Sequence, residues 1–343
     1  MIIPRILLTL LLAASVLFSP GQKSEDPVSV MFYNVENLFD TVDDPLIKDE
    51  EFLPKGARRW NQFRFNSKLC SLAKVFVSTG SFEPPGFIGL CEVENRYVLE
   101  QLVKEPALSR WNYKIIHKDS PDERGIDVAA IYRPDVFYPL TYRYFPPVPE
   151  NEPVPRTREI LYVMGVLSGA DTVHLFVNHW PSRFGGLMET RGARQRAASR
   201  LAAEVDKLRQ KFCEPLIIIT GDFNDQPDDI SLTGCLNATL VPGSDPDRLY
   251  NLSHLWLKSG KGTLKHQSQW NIFDQLIVSG SLLNNSRKLY SDPSDAVILD
   301  LPFLLQPDER YLGMKLFRTY EGFRYTGGYS DHLPVLLWVR KRE

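Results

Sequence analysis

The stretch PLIIITGDFND, residues 215–225, sets four apolar residues, Leu216 to Ile219, close before Asp222 and Asn224. A short, Ile-rich run bounded by Pro and Gly predicts a buried strand. Its end is the puzzle, because a carboxylate beside a core is costly. Residues two apart on a strand share a face, so Asp222 and Asn224 are expected on one side. Either they form an ordinary turn with Gly221 and Asp225, both good turn formers, or the strand delivers them to a site.

Working outward, further strands are expected in DPVSVMFYNVENLF, GFIGLCEVEN, DVAAIYRPD, NIFDQLIVS and LPVLLWVRK. Residues 159–182 predict a hairpin around a Ser-Gly-Ala-Asp turn. Helices are expected where Leu69, Leu72, Val75 and Phe76 recur, in RYVLEQLVKE, and where Leu201, Val205, Leu208 and Phe212 recur. Strands outnumber helices, so simple βαβ alternation fits poorly, and two packed sheets with helices outside fit better. The Pro-rich stretch 145–155 predicts a surface excursion. Residues 281–328 carry a weak pattern that predicts long loops. Neither stretch separates two cores, so one domain is expected.

The chain has 343 residues, 43% hydrophobic and 24% charged, which places it among globular rather than disordered proteins. Residues 1–22 hold one Arg and then an apolar run from Ile6 to Phe18, too short to span a bilayer comfortably; they predict a signal peptide. The mature chain, 23–343, is then expected to be exported, periplasmic or secreted, with no stable membrane insertion. The formal net charge of −2 excludes a strongly basic nucleic-acid binder. Cys70, Cys91, Cys213 and Cys235 form no zinc-type spacing. Buried free thiols are expected.

Polar clusters recur at the ends of the expected strands. Asn34 and Glu36 are expected on one face by the two-residue rule. Glu92 ends an apolar run and is a candidate ligand for a hard cation, with Glu94 as the other candidate. His179 closes a strand beside Asn178, and Arg183 follows in a loop. Asp274 lies inside an apolar strand and needs a partner, for which His⁺ is the natural choice. Asp331 and His332 stand at the mouth of the last strand.

In this order, Asn-x-Glu, Glu, His, Gly-Asp-x-Asn, Asp, Ser-Asp-His, the chain resembles the endonuclease/exonuclease/phosphatase superfamily, the deoxyribonuclease I-like group, from about Val28 to Val339. GDFND and SDHLPV carry the likeness most specifically. RGIDVAAIYR and NHWPSR resemble its exported bacterial nucleases and phosphohydrolases. The resemblance implies an α/β fold, a four-layer α-β-β-α sandwich of two mainly antiparallel sheets with the site at one edge. It also implies divalent-metal-dependent phosphoester hydrolysis with Mg²⁺ or Mn²⁺. On that basis Glu92 is the metal ligand, assisted by Asn34 and Glu36, with Asp331 as a further ligand or brace. Asp222 orients and deprotonates water, and Asn224 donates to a phosphoryl oxygen. His332, held by Asp274, contacts the phosphate or relays a proton. His179 and Arg183 contact the phosphate or protonate the leaving group, and Asn178 binds substrate.

A nuclease is the leading expectation for the substrate. Arg183, Arg191, Arg194, Arg196 and Arg200 form a basic rim or, more simply, a solvated helix face paired with Glu189 and Glu204. The alternatives are a small-molecule or lipid-headgroup phosphohydrolase, of inositol-phosphate or sphingomyelinase type, and a non-catalytic binding protein that retains the fold.

Overall fold

A computed structural model of the chain describes residues 27–342. The expected leader, 1–22, lies outside the described residues. The strands in chain order are β1 (Val28–Leu38), β2 (Phe87–Val93), β3 (Lys114–Ile116), β4 (Asp127–Tyr132), β5 (Phe137–Phe145), β6 (Ile160–Leu167), β7 (Asp171–His179), β8 (Leu216–Asp222), β9 (Ala238–Thr239) and β10 (Leu249–Asn251). They continue as β11 (Leu264–His266), β12 (Gln269–Asn271), β13 (Asp274–Ser279), β14 (Leu289–Tyr290), β15 (Ala296–Ile298), β16 (Leu305–Pro307), β17 (Met314–Leu316), β18 (Tyr320–Glu321), β19 (Arg324–Tyr325) and β20 (Val335–Lys341). The helices are α1 (Gln62–Val77), α2 (Arg96–Leu102), α3 (Pro106–Ser109) and α4 (Leu187–Lys211).

Two seven-stranded sheets result. The first runs β14-β20-β1-β2-β4-β3, with β15 also paired to β20; the second runs β5-β6-β7-β8-β13-β10-β9. Within them only β1–β2, β7–β8 and β9–β10 are parallel, so both are mainly antiparallel. The side chains of β8 show why they stack. Leu216 and Ile218 enter the core between the sheets, while Ile217 and Ile219 pack with Ala197, Leu201 and Val205 of α4 on the outer side. A strand covered on both faces has no polar side, which explains the continuous apolar run in its sequence. Phe65, Leu69, Leu72 and Phe76 of α1 join the core from the first sheet's side, giving the α-β-β-α order. The Asn61 side chain caps α1 by accepting from the Arg64 amide.

The segment 281–328 is not simply loop. It holds β14 to β19, two or three residues each, among them the hairpins β16–β17 and β18–β19. Such short strands complete too few periods to register as alternation. All four cysteines are free, but only Cys91 is buried; Cys70 and Cys213 are exposed, contrary to expectation. Cys70 sits among apolar neighbours on the solvent side of its helix, and Cys213 follows the end of α4. Among the described residues no helix is long and apolar enough to cross a membrane.

His174 of β7 lies under α4's end, with Nδ1 2.8 Å from the Tyr162 hydroxyl. Burial, reinforced by Lys211, lowers its pKa to about 4. The unfolded chain therefore binds this proton more readily between about pH 6.5 and 4. Stability from this site is fully present above pH 6.5 and falls as the pH drops toward 4. His174→Gln is expected to remove up to about 3 kcal/mol of acid-side destabilisation. Urea unfolding at pH 7 and pH 4.5 checks it: the wild type should lose more stability between the two than the variant.

Candidate active site

Three strands of the second sheet place one polar row. The parallel register of β7 and β8 sets His179 opposite Asp222, and the antiparallel register of β8 and β13 sets Asp274 opposite Asp222. The close approach of β7 and β8 requires Gly221, since a Cβ there would lie 2.4 Å from the Asn178 carbonyl oxygen. The first sheet contributes Asn34. Its Nδ2 donates to Asp222 Oδ2 at 3.1 Å and to Glu92 Oε1 at 3.3 Å, tying the two sheet edges together. His332, just before β20, donates from Nδ1 to Asp274 Oδ2 at 2.7 Å, and its Nε2 lies 3.8 Å from Asp222 Oδ2. His179 Nε2 is 3.7 Å from the same oxygen.

These groups pull one another's proton affinities apart. Burial raises the Asp222 pKa to about 7; His332 opposes the rise and Asp274 adds to it. Burial alone would lower His332, but Asp274 and Asp222 together carry it well above its ordinary value. Burial depresses His179 well below the ordinary value, and the Arg158 and Arg124 charges deepen the effect. The site therefore pairs a cationic His332 with a neutral His179 across one carboxylate. This separation is what acid–base work near neutrality needs.

Glu92 reaches the cleft because β2 bulges between Cys91 and Val93, leaving Glu92 at φ 62. A bulge re-aims a side chain in this way. A second bulge corrects the pairing expected for Asn34 and Glu36. The break in β1 puts Glu36 at φ 51 and Asn37 at φ 55, so Glu36 turns away. Its carboxylate accepts from Arg318 Nε and from the Thr319 amide at 2.9 and 2.7 Å. Both oxygens are engaged, so Glu36 is a brace rather than a free ligand. Asn34 likewise offers the ligand cluster its amide nitrogen, while its oxygen accepts from the Glu36 N–H. Asp331 shares Arg318 at 2.9 Å through Oδ2.

Arg183 and Asn178, expected at the substrate, are both held by partners within the protein. Arg183 donates to the Asn224 carbonyl and to Asp225 and Asp229, and stacks on Phe273. Asn178 is fully buried between the Thr220 carbonyl and Trp180 Nε1. Both sit one residue or one loop away from the chemistry, and backbone acceptors claimed them. Asn224 accepts nothing from Arg183's side chain through its own; its Nδ2 donates to the Trp180 carbonyl, and its N–H to Asp222 Oδ1. Arg183→Ala is expected to lower the melting temperature by several degrees, the scale of a 1–3 kcal/mol loss of hydrogen bonds to charged groups. It should leave KM within about twofold, because nothing in the uniform binding of substrate is removed. Thermal unfolding beside steady-state kinetics checks both halves.

Of the helical arginines, Arg191 and Arg196 are exposed and the other two are paired, one of them with Glu204 as the simpler reading expects. Arg194 is buried against Asp225, and Arg200 pairs with Glu150 and Glu204.

Sequence reasoning missed Lys68, Arg318, Arg124 and Arg158. Lys68 left a signal: it falls on the apolar stripe of α1 at helical spacing. Buried, it donates to Thr319 Oγ1 at 2.6 Å and to the Tyr329 carbonyl, and burial lowers its pKa to about 8 despite Glu36 and Asp331. Arg158 is held by Asp122 at 3.2 Å and the Trp180 carbonyl at 2.9 Å. The loop bearing Arg124 is pinned by Asp127, which accepts from the Ser120 amide at 2.8 Å and lies 2.9 Å from His117 Nε2. Arg318 left no signal, since it lies in the weakly patterned segment.

A divalent cation fits these residues. Five carboxylates, Glu36, Glu92, Asp222, Asp274 and Asp331, converge beside four cations, Lys68, Arg158, Arg318 and His332. Asp274 Oδ1 is buried without a partner. The donors are oxygen, the preference of Mg²⁺ and Mn²⁺. Glu92 would hold the ion, with Asn34 fixing its carboxylate. Asp222, Asp274 and His332 also offer ligand atoms within 4.8 Å of one another, but the Asp274 bond already takes up His332 Nδ1.

Residues 29–341 match the profile of the Endonuclease/Exonuclease/phosphatase family. No curated protein matches the chain. Among solved structures, an endonuclease/exonuclease/phosphatase family protein from Bacteroides thetaiotaomicron is 16% identical, with a TM-score of 0.57, over 92% of this chain and 95% of that one. A Bacteroides thetaiotaomicron mannosyl-6-phosphatase is 17% identical, TM-score 0.55, over 91% and 99%. D. rerio TDP2 complexed with single strand DNA product is 14% identical, TM-score 0.53, over 92% and 99%. At these identities the likeness is one of fold. The profile match takes in both sheets and every residue of the polar row, so the chain belongs to the Endonuclease/Exonuclease/phosphatase family and is a metal-dependent phosphoester hydrolase.

Proposed function

We propose that this chain is an exported phosphodiesterase dependent on Mg²⁺ or Mn²⁺. The observation that supports it is the row His332–Asp222–His179, backed by Asp274 and met by Glu92 from the other sheet. A bound divalent ion would offset charge on the phosphoryl and leaving oxygens. Asp222, with an affinity near neutrality, accepts the proton of the attacking water. His332 keeps its proton through Asp274 and presents Nε2–H to the phosphoryl oxygens. Asn224 has one Nδ2 hydrogen beyond the bond to the Trp180 carbonyl, and it donates that hydrogen to a phosphoryl oxygen. Export rests on the apolar run of residues 6–18.

Nucleic acid is the first substrate reading, through the superfamily resemblance. A small-molecule phosphoester is the second, and one observation favours it: three of the five arginines expected to form a nucleic-acid rim, Arg183, Arg194 and Arg200, are engaged within the protein. The experiment assays purified mature protein with Mg²⁺ on single- and double-stranded DNA, RNA, bis-p-nitrophenyl phosphate and sphingomyelin, with a chelator control. Cleavage of nucleic acid supports the first reading and cleavage of only small or lipid esters the second. Silence on all of them, with the protein folded, sinks the catalytic proposal and leaves a binding protein.

A further inference from the structure

Lys68 is a buried cation with no part in binding the phosphate or moving the proton. It is 2% exposed, on the apolar stripe of α1 between Phe65, Leu69 and Leu72. Its Nζ donates to two acceptors, Thr319 Oγ1 at 2.6 Å and the Tyr329 carbonyl oxygen. Both acceptors are neutral. The carboxylates that bear on it, Glu36, Asp331 and Glu92, act through space. A neutral donor would make the same two bonds without taking a charge out of water, so a buried ammonium is the costlier choice unless its charge is used.

The two acceptors stand beside the two segments that complete the site. Thr319 donates its N–H to Glu36 Oε2 at 2.7 Å, and the neighbouring Arg318 donates to Glu36 and to Asp331 at 2.9 Å each. Tyr329 precedes Ser330, whose hydroxyl donates to the Asn34 carbonyl at 2.7 Å and accepts the His332 N–H at 3.1 Å. The Tyr329 N–H donates to the Phe317 carbonyl at 2.6 Å, so the two segments also hold each other. One ammonium anchored on α1 therefore pins both the Arg318 bridge and the turn that presents His332 to Asp222. A charged donor bonds such acceptors more strongly than a neutral one. The same charge favours the ionised forms of Glu36 and Asp331, on which the Arg318 bridge depends.

We propose that Lys68 is a positioning residue for phosphoester hydrolysis: it touches no substrate, and through Thr319 and Tyr329 it holds the Arg318 bridge and His332 in register with Asp222. The effect on rate rests on the phosphodiesterase reading of the row; the placement of His332 does not. Displacing a reacting group by about 1 Å can cost ~10²-fold, so a loss of at least about tenfold is expected when the tether goes.

The test is Lys68→Met, which keeps an apolar stem and removes the ammonium. With bis-p-nitrophenyl phosphate and Mg²⁺, kcat per folded molecule should fall at least about tenfold while KM stays within about twofold, because the loss is felt in the transition state. Circular dichroism supplies the folded fraction. Thr319→Val is the second variant; it removes one acceptor of Lys68 and leaves the Thr319 N–H on Glu36. Its kcat should fall about threefold or more, and the double variant should lose little beyond Lys68→Met, since the two side chains share one bond. If Lys68→Met does not fold, Thr319→Val carries the test.

Proton NMR reads the placement directly. The proton between His332 Nδ1 and Asp274, 2.7 Å apart, is expected as a downfield resonance that His332→Ala lacks. In Lys68→Met it should shift or broaden, which a role in stability alone would not produce. A kcat within about twofold of the wild type, or an unchanged His332 resonance, overturns the proposal. If the wild type turns over no phosphodiester, the phosphodiesterase reading fails by itself. A His332 resonance displaced in Lys68→Met then still supports the positioning role, and an unchanged one removes it.

Discussion

Asp222→Asn and His332→Ala are each expected to lower turnover of bis-p-nitrophenyl phosphate at least ~10²-fold, the usual cost of losing a positioned acid–base or electrostatic group. Asp222 holds the centre of the row: Asn34 donates to one of its oxygens and the Asn224 amide to the other. The Asn replacement keeps the shape and removes the group that accepts a proton near neutrality. His332→Ala removes the cation that faces Asp222 and leaves Asp274 buried with a second unpartnered oxygen. Because His332 Nε2 lies 3.8 Å from Asp222 and opposes the rise in its proton affinity, the two act as a unit, and the double variant should lose little beyond the worse single variant. Near-wild-type turnover in either single variant, with the native circular dichroism spectrum retained, would remove that residue from the mechanism.

Glu92→Gln is expected to raise the Mg²⁺ concentration for half-maximal activity at least ~10-fold and toward ~100-fold, since even indirect partners of a metal cost that much. The replacement is nearly isosteric and can still accept from the Asn37 amide at 3.0 Å, so the bulge should persist. What goes is the negative charge of a carboxylate that is partly exposed, at 17%, where Asp222 and Asp274 are buried. Glu36→Gln is the informative contrast. Its carboxylate clamps Arg318 and the Thr319 amide, so its loss should appear in thermal stability before it appears in the Mg²⁺ titration. If the two variants shift the Mg²⁺ midpoint equally, the division between ligand and brace is wrong.

Much of this site could be read along the chain. Asp222, Asp274, His179 and His332 stand at or beside strand ends, where an isolated charge next to an apolar run is conspicuous. Asp274 inside NIFDQLIVS demanded a partner, and the fold supplies His332. The pair Asn34 and Glu36 misled for a physical reason. The two-residue rule holds only while the strand stays regular, and positive φ at Glu36 and Asn37 breaks it within two residues. Arg183 and Asn178 misled because polar residues near a site look alike in sequence whether they meet substrate or backbone. The Lys68 position was legible as a charge on an apolar helix stripe and passed unread.

The sequence by itself determined the layers. Apolar runs buried on both faces, a tight hairpin and helices with one apolar stripe leave few arrangements other than two stacked sheets with helices outside, because each pattern states which faces must leave water. Only the tertiary structure decided which polar groups meet. That Asn34 bridges Glu92 and Asp222, and that Arg318 joins Glu36 to Asp331, depends on residues brought together from distant parts of the chain. Burial follows from local patterns of side-chain type, whereas a hydrogen bond or ion pair requires a distance of a few ångströms, which no local pattern specifies.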